Sequence, residues 1–339
     1  MGVMRRSADH RIMSIDEHVS VAQGSPNRGN RNRGSGISIR RWAKTFAALT
    51  VAVTLAASVS GTAYAAGPGG DVSATIVGGH EATESYPAMI SLQITWGDGT
   101  AHICGASLVS RQWAVTNAHC VTSQDGSPVP PETFHLRIGS NDRTAGGTFA
   151  GVTAVLPHAE WDWATGTGRV ADIAMLRLDT PVQEQRIEVA NRVRYGGAVT
   201  RVIGFGHTQP GGTLPITLQE LDTRLLPAER CEYPGLTISE GEICVANVNG
   251  TDGICSGDSG GPAMQKIRGR WQLVGGVSRA TNGCGTGPAI FTDATYYRGW
   301  MYEVMRTGTV PPPAPGVTPA APSAAKASAQ SQNWYLPAA

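Results

Sequence analysis

The sequence predicts an all-β domain followed by one C-terminal helix. Two observations predict the strands. Short apolar segments recur from about residue 88 to residue 294, and Gly- and Pro-rich joints separate them; the chain of 339 residues holds 43 Gly and 21 Pro. Such a rhythm indicates a β-barrel or sandwich. A third observation predicts the helix: one later stretch switches to a helical period.

The elements follow in order. The body begins near Ile76. The first half carries "AMISLQIT" (88–95), "ICGASLVS" (103–110), "FHLRIGS" (134–140) and "DIAMLRL" (172–178). The second half carries "AVTRVIGFG" (198–206), "LQELDTRLL" (218–226), "WQLVGGVS" (271–278) and "PAIFTDA" (288–294). In "TYYRGWMYEVMR" (295–306), Tyr296, Trp300, Met301, Val304 and Met305 recur near the helical period, which predicts an amphipathic helix packed on the strands.

The flanks differ from this body. "FAALTVAVTLAASV" (46–59) follows Arg40, Arg41 and Lys44 and precedes Ala63-Tyr64-Ala65. A basic stretch, an apolar run and a small-x-small site read as an export signal cleaved after Ala65, so residues 1–65 form the leader. An uncleaved anchor is the alternative, but Ser, Thr and Gly weaken a span over Phe46–Ala66. Residues 66–75 read as a short segment ahead of the folded body, which spans 76–309. The Pro- and Ala-rich segment 310–339 reads as a disordered tail.

Charge is uneven. Residues 1–45 carry nine Lys/Arg against three Asp/Glu, a net of +6. From Ile76 onward eighteen Lys/Arg face twenty-two Asp/Glu, a net of −4, which by overall charge excludes a polyanion binder. No nucleic-acid partner and no lasting membrane association are expected. All six cysteines, Cys104, Cys120, Cys231, Cys244, Cys255 and Cys284, lie in the body. An even set behind an export signal reads as disulfides, with fifteen pairings open. No pair has zinc-ribbon spacing, so a metal site is the weaker alternative.

The chemistry sits in three places. "TDGICSGDSGGPA" (251–263) sets Ser259 among glycines, which let the backbone turn tightly and aim amides outward. A serine hydroxyl needs a base, a group to orient that base, and donors for an oxyanion. A phosphate-binding loop would require Gly-Lys-Ser/Thr, which is absent. "WAVTNAHC" (113–120) offers His119 as the base. "RVADIAMLRL" (169–178) opens an apolar strand with Asp172, costly to bury without a hydrogen-bonding partner.

Together, "IVGGHEATESYPAMISL", "WAVTNAHC", "ADIAML" and "GDSGGP" resemble the chymotrypsin-like, trypsin-fold secreted serine proteases over about residues 76–307. The order His, Asp, Ser matches that family and not the subtilisin or α/β-hydrolase orders. The resemblance implies two six-stranded antiparallel β-barrels, with the site between them and a C-terminal helix. It implies a triad of His119, Asp172 and Ser259, an oxyanion hole from the amides of Gly257 and Ser259, and the pairings Cys104–Cys120, Cys231–Cys244 and Cys255–Cys284. It implies that residues 66–75 are a short propeptide and that cleavage before Ile76 activates the protein, its new amine pairing with Asp258; the local alternative is an aspartate capping its own turn. Thr75 precedes that junction, so a trypsin-like activator is not expected.

For specificity the resemblance points to Gly253, Ile254, Ser278, Arg279, Ala280 and Ala289. Gly253 stands where Arg/Lys-cutting members have an aspartate. Ile254, Ala280 and Ala289 would narrow the pocket toward small or medium apolar side chains. Arg279 replaces the family tryptophan, and it either favours acidic groups upstream of the cut or turns into solvent. "LRIGSNDRTAGG" (136–147) holds one acid, Asp142, so no calcium requirement is expected, and no cofactor. Expected partners are protein or peptide substrates and proteinaceous inhibitors, with the protein a monomer. The rival reading, a protease-like binding protein, usually shows a lost triad residue; all three are present here.

Overall fold

The computed structural model describes residues 76–163, 171–233 and 236–313. The leader, the propeptide and tail residues 314–339 lie outside the described residues. The first half contains β1 (His80–Glu81), β2 (Met89–Trp96), β3 (Gly99–Ser110), β4 (Trp113–Thr116), β5 (Phe134–Ile138), β6 (Thr148–Pro157) and β7 (Ala174–Leu178). The second contains β8 (Glu188–Val189), β9 (Val199–Gly204), β10 (Gln219–Leu226), β11 (Glu242–Val245), β12 (Pro262–Ile267), β13 (Arg270–Ala280), β14 (Ala289–Asp293) and helix α1 (Arg298–Thr307).

Strands β2-β3-β4-β7-β6-β5 close into an antiparallel barrel. Strands β9-β10-β11-β14-β13-β12 form the second, which closes because β12 and β10 both pair with β9. The expected all-β fold of two six-stranded barrels with a C-terminal helix is what forms. Alternation explains the strands: in β5 the pattern Phe134, Leu136, Ile138 points inward while His135 and Arg137 lie at the surface. Each barrel holds its own apolar core, around Leu92, Leu136 and Leu176 in the first and Val274 and Phe291 in the second. A third cluster joins Met89, Val109 and Trp113 to Ile203, Phe205 and Leu273, so the seam between barrels is itself packed.

Helix α1 covers that seam with Met301 and Val304, both fully buried. It starts at Arg298, later than the periodicity suggests. The Asp293 carboxylate accepts the amides of Thr295 and Tyr296 at 2.7 and 3.2 Å and holds that turn outside the helix. Tyr296 is consequently exposed and not part of the apolar face. Gly308, in the left-handed region at φ 74°, ends the helix.

The six cysteines pair as Cys104–Cys120, Cys231–Cys244 and Cys255–Cys284. Among the described residues no helix is long and apolar enough to cross a membrane.

Candidate active site

Strand register brings His119 to Asp172. β4 and β7 run antiparallel with Thr116 opposite Ala174. His119 lies three residues beyond Thr116, in the one-turn helix Ala118–Cys120, and Asp172 lies two before Ala174. Continuing the register past the strand ends places the two side by side. Ala171, at φ 53°, turns the chain just before Asp172.

Asp172 is buried, with 1% exposure, and richly hydrogen-bonded. Its Oδ1 accepts the His119 amide at 2.9 Å, and its Oδ2 accepts His119 Nδ1 at 2.8 Å. Oδ2 also accepts Asn117 Nδ2 at 3.0 Å and the Ser278 hydroxyl at 2.6 Å. A carboxylate only accepts, so Nδ1 carries the proton and Nε2 keeps its lone pair. The arrangement can take a proton at Nε2 and stabilise the resulting cation through Asp172. Asn117 and Thr292 extend the support: Asn117 Nδ2 also donates to Thr292 Oγ1 at 3.0 Å, and Thr292 Oγ1 donates to the Asp172 carbonyl at 2.8 Å. Neither residue is singled out by sequence reasoning, although each is a polar group in or beside an apolar strand, the kind of signal that marks Asp172.

Ser259 sits on the loop entering β12, half-buried and reachable from solvent. Backbone bonds fix that loop to both barrels. Gly105 N of β3 donates to the Ser259 carbonyl at 2.7 Å, and Gly260 N donates to the Val277 carbonyl at 2.9 Å. Two glycines are sterically required. A Cβ on Gly260, at φ 74°, would lie 2.2 Å from Thr116 Oγ1 and 2.4 Å from the Gly105 carbonyl oxygen. One on Gly257, at φ 94°, would press on Gly206 and Leu214 at 3.0 Å. The Gly257 carbonyl is hydrogen-bonded to His102 Nε2 at 2.9 Å. Among the described residues, the amides of Gly257 and Ser259 donate to no group of the fold.

Asp258 lies between those amides, with no exposure. Its Oδ1 accepts Gly206 N and its Oδ2 accepts Cys255 N, each at 2.9 Å. Burial pushes its carboxyl up to about 7 against the pull of these two bonds. Among the described residues no cationic side chain pairs with it. Ile76 is also fully buried, and the Val77 carbonyl accepts the Gly253 amide at 2.8 Å, which ties the start of the body to the loop leading to Asp258.

The remaining predicted residues lie in the second half of the domain. Ile254 and Ala289 are buried in the core of the second barrel, and Gly253 opens the same loop. Ala280 is exposed at the end of β13. Arg279 requires a correction. Its guanidinium neither faces the cleft as a free charge nor turns into solvent; it pairs with Glu242 and is only 9% exposed. Nη1 bonds Glu242 Oε1, and Nη2 donates to Glu242 Oε2 at 3.0 Å and to the Thr237 carbonyl at 2.9 Å. The Glu242 side chain is 2% exposed, and sequence reasoning missed it because a single acid in a short strand carries no motif.

Cys104, His119 and Cys120 cluster closely enough to suggest a metal site. Both sulfurs are consumed in one disulfide, so no thiolate is left to ligate. Asp142 is likewise engaged by its own turn, accepting Thr144 N at 2.7 Å and Ala145 N at 3.1 Å.

Two barrels with a buried Asp–His pair and a glycine-bound serine at their seam define a two-barrel serine hydrolase. Residues 76–301 match the family model described as Trypsin. The chain is 31% identical over 254 residues to chymotrypsin-like elastase family member 1 of Rattus norvegicus, covering 69% of this chain and 91% of that protein. It is 30% identical over 251 residues to the protein of the same name from Macaca fascicularis, with the same coverage. The chain therefore belongs to the trypsin family and is a serine endopeptidase.

Proposed function

We propose that this endopeptidase is secreted, is made as a zymogen, and cuts after small or medium apolar residues. The observation that carries the mechanism is the fixed His119–Asp172 pair, which leaves Nε2 as a base. In this reading Ser259 Oγ attacks the scissile carbonyl while His119 Nε2 takes its proton. The tetrahedral oxyanion is held by the amides of Gly257 and Ser259, whose lack of any partner in the fold supports the assignment. His119 then protonates the leaving amine, and water releases the acyl group by the reverse sequence.

Activation is read from the two buried groups at the domain start. Cleavage after Thr75 would free an amine on Ile76, and Asp258 is a buried carboxyl with no cationic side chain beside it among the described residues. Pairing the two would fix the amides on either side of Asp258. The leader before residue 66 supports export. The apolar pocket is read from Gly253, Ile254, Ala280 and Ala289, and it agrees with the word elastase in the names of both relatives. Proteinaceous inhibitors and a monomeric state belong to the same reading.

The test is a peptide panel varied only at the residue before the scissile bond. It uses protein processed to Ile76, with Ser259→Ala as control. Activity that peaks at Ala, Val or Leu and vanishes in the control is expected. A peak at Phe or Tyr would overturn the narrow pocket, and a peak at Arg would overturn Gly253 as its floor. Loss of the mechanism itself would show as full activity in Ser259→Ala. N-terminal sequencing of active enzyme that begins at Ala66 would overturn the zymogen reading.

A further inference from the structure

The net charge of −4 from Ile76 onward conceals a strongly basic hollow. A groove of about 880 Å³ runs between the 186–194 connection, the tip of the β12–β13 hairpin and helix α1. Six arginines line it: Arg186, Arg192, Arg194, Arg268, Arg270 and Arg298. They are a third of the eighteen basic residues from Ile76 onward, and the single acid among the lining residues is Glu188. No residue assigned above to catalysis or specificity belongs to the groove.

These arginines are not spent on the fold. Among the described residues none of the six makes an ion pair, and none donates a side-chain hydrogen bond. Arg298 reaches inward: its Nε is buried without a partner, and its guanidinium lies 4.9 Å from the Tyr302 ring. A buried donor left unsatisfied is costly, and no hydrogen bond among the described residues offsets it. Gathering six like charges around one hollow also works against folding unless an anion offsets them.

We propose that this groove binds an acidic peptide segment of a partner protein. Guanidinium forks match carboxylates in bidentate geometry. The volume is that of an ordinary ligand site, and its concavity excludes a flat membrane surface. The apolar side chains of Val109, Ile187, Ile267 and Met305 lie among the arginines. That mixture suits a peptide carrying acidic and apolar residues together. A sulfated polysaccharide offers no matching apolar groups. A single-stranded nucleic acid would call for several stacking aromatics, and Tyr302 is the one aromatic in the lining.

The test uses full-length protein carrying Ser259→Ala, so that the probe survives whatever the outcome for catalysis. A short fluorescein-labelled peptide of alternating glutamate and leucine is titrated by fluorescence anisotropy. Dextran sulfate and single-stranded DNA serve as competitors. Binding that weakens with salt is expected, with a loss of about tenfold or more in Arg192→Glu/Arg194→Glu/Arg270→Glu. These three side chains are exposed, and a matching glutamine set guards against misfolding by charge reversal. In the Ser259 background both sets are expected to hydrolyse short neutral peptides as the parent does. Absence of peptide binding, or binding by both variant sets equal to that of the parent, would overturn the proposal. Tighter binding of either competitor polymer than of the peptide would overturn the choice of ligand.

Discussion

Two aspartates, Asp172 and Asp258, are buried to the same degree and treated in opposite ways. Asp172 meets the His119 amide, the His119 ring, Asn117 and Ser278. Among the described residues Asp258 meets only the backbone amides of Gly206 and Cys255, and burial drives its carboxyl up to about 7. A buried carboxylate is tolerable when donors replace its water and costly when they do not. The contrast teaches that Asp172 is a finished part, whereas Asp258 is one charge short. In the proposed activation, the Ile76 amine supplies that charge.

The largest effect should come from Asp172. An asparagine side chain in its place could not accept the Nδ1 proton and keep all the other bonds, so the imidazole would lose its productive tautomer. Asp172→Asn is expected to lower kcat on the order of 10⁴-fold with the melting temperature nearly kept. Unchanged turnover would break the assignment of Asp172 as the orienting group.

Asp258→Asn should separate the two aspartates most clearly. In processed enzyme it is expected to cost on the order of 10²–10³ in kcat, because the flanking amides proposed to hold the oxyanion lose their anchor. In unprocessed protein it should stabilise. The folded-state carboxyl titrates near 7 and the unfolded one near 3.8. Below about pH 4 both states hold the proton. Between 4 and 7 only the folded state keeps it, so stability falls as pH rises, and the penalty levels off above 7 at roughly 4 kcal/mol. Urea denaturation of the unprocessed protein carrying Asp258→Asn should lack this slope. Processing should also remove it, by giving the carboxylate a cation. Identical slopes in all three proteins would sink the account.

Ser278→Ala moves Asp172 one step toward the condition of Asp258. It removes a 2.6 Å donor and leaves the others in place. A hydrogen bond to a charged group contributes about 1.5–3 kcal/mol, so kcat/KM should drop about tenfold or somewhat more. No change in the pH–rate profile would mean that this bond does not support the charge on Asp172.

The sequence was most legible where chemistry and periodicity coincide. Ser259 among glycines, His119 after an apolar strand and Asp172 before one each break a pattern, and together they mark the proposed centre. Strands went unnoticed where the pattern is blurred. β6, "TFAGVTAVLP", mixes small residues with a weak alternation, and its burial alternates only in part. β12 opens with Pro262, which is tolerated at a strand start, and continues into Gln265 and Lys266. The arginine groove was illegible for another reason. Its arginines come from three separate segments, and a charge total averages them against distant acids.

Arg279 and Glu242 carry the smallest expected effect, and they test whether a buried charge must be matched to be silent. Unlike Asp258, Arg279 has its counter-ion in place, with two hydrogen bonds to the Glu242 carboxylate. Its Nη1 also comes within 3.5 Å of the Ser278 hydroxyl, so the pair borders the donors of Asp172. While the pair holds, a substrate should meet a polar but neutral wall, and acidic residues upstream of the cut should gain nothing. Glu242→Gln keeps the shape and leaves the guanidinium charge uncancelled. The variant should be less stable by about 2–3 kcal/mol, because it strands a largely buried cation. It should also acquire about a threefold preference for Asp or Glu upstream, the scale of one solvent-screened ion pair. A wild-type enzyme that already prefers acidic residues there would show that Glu242 does not mask Arg279. Equal stability of the variant would show that the guanidinium finds water or another acceptor when its partner is removed.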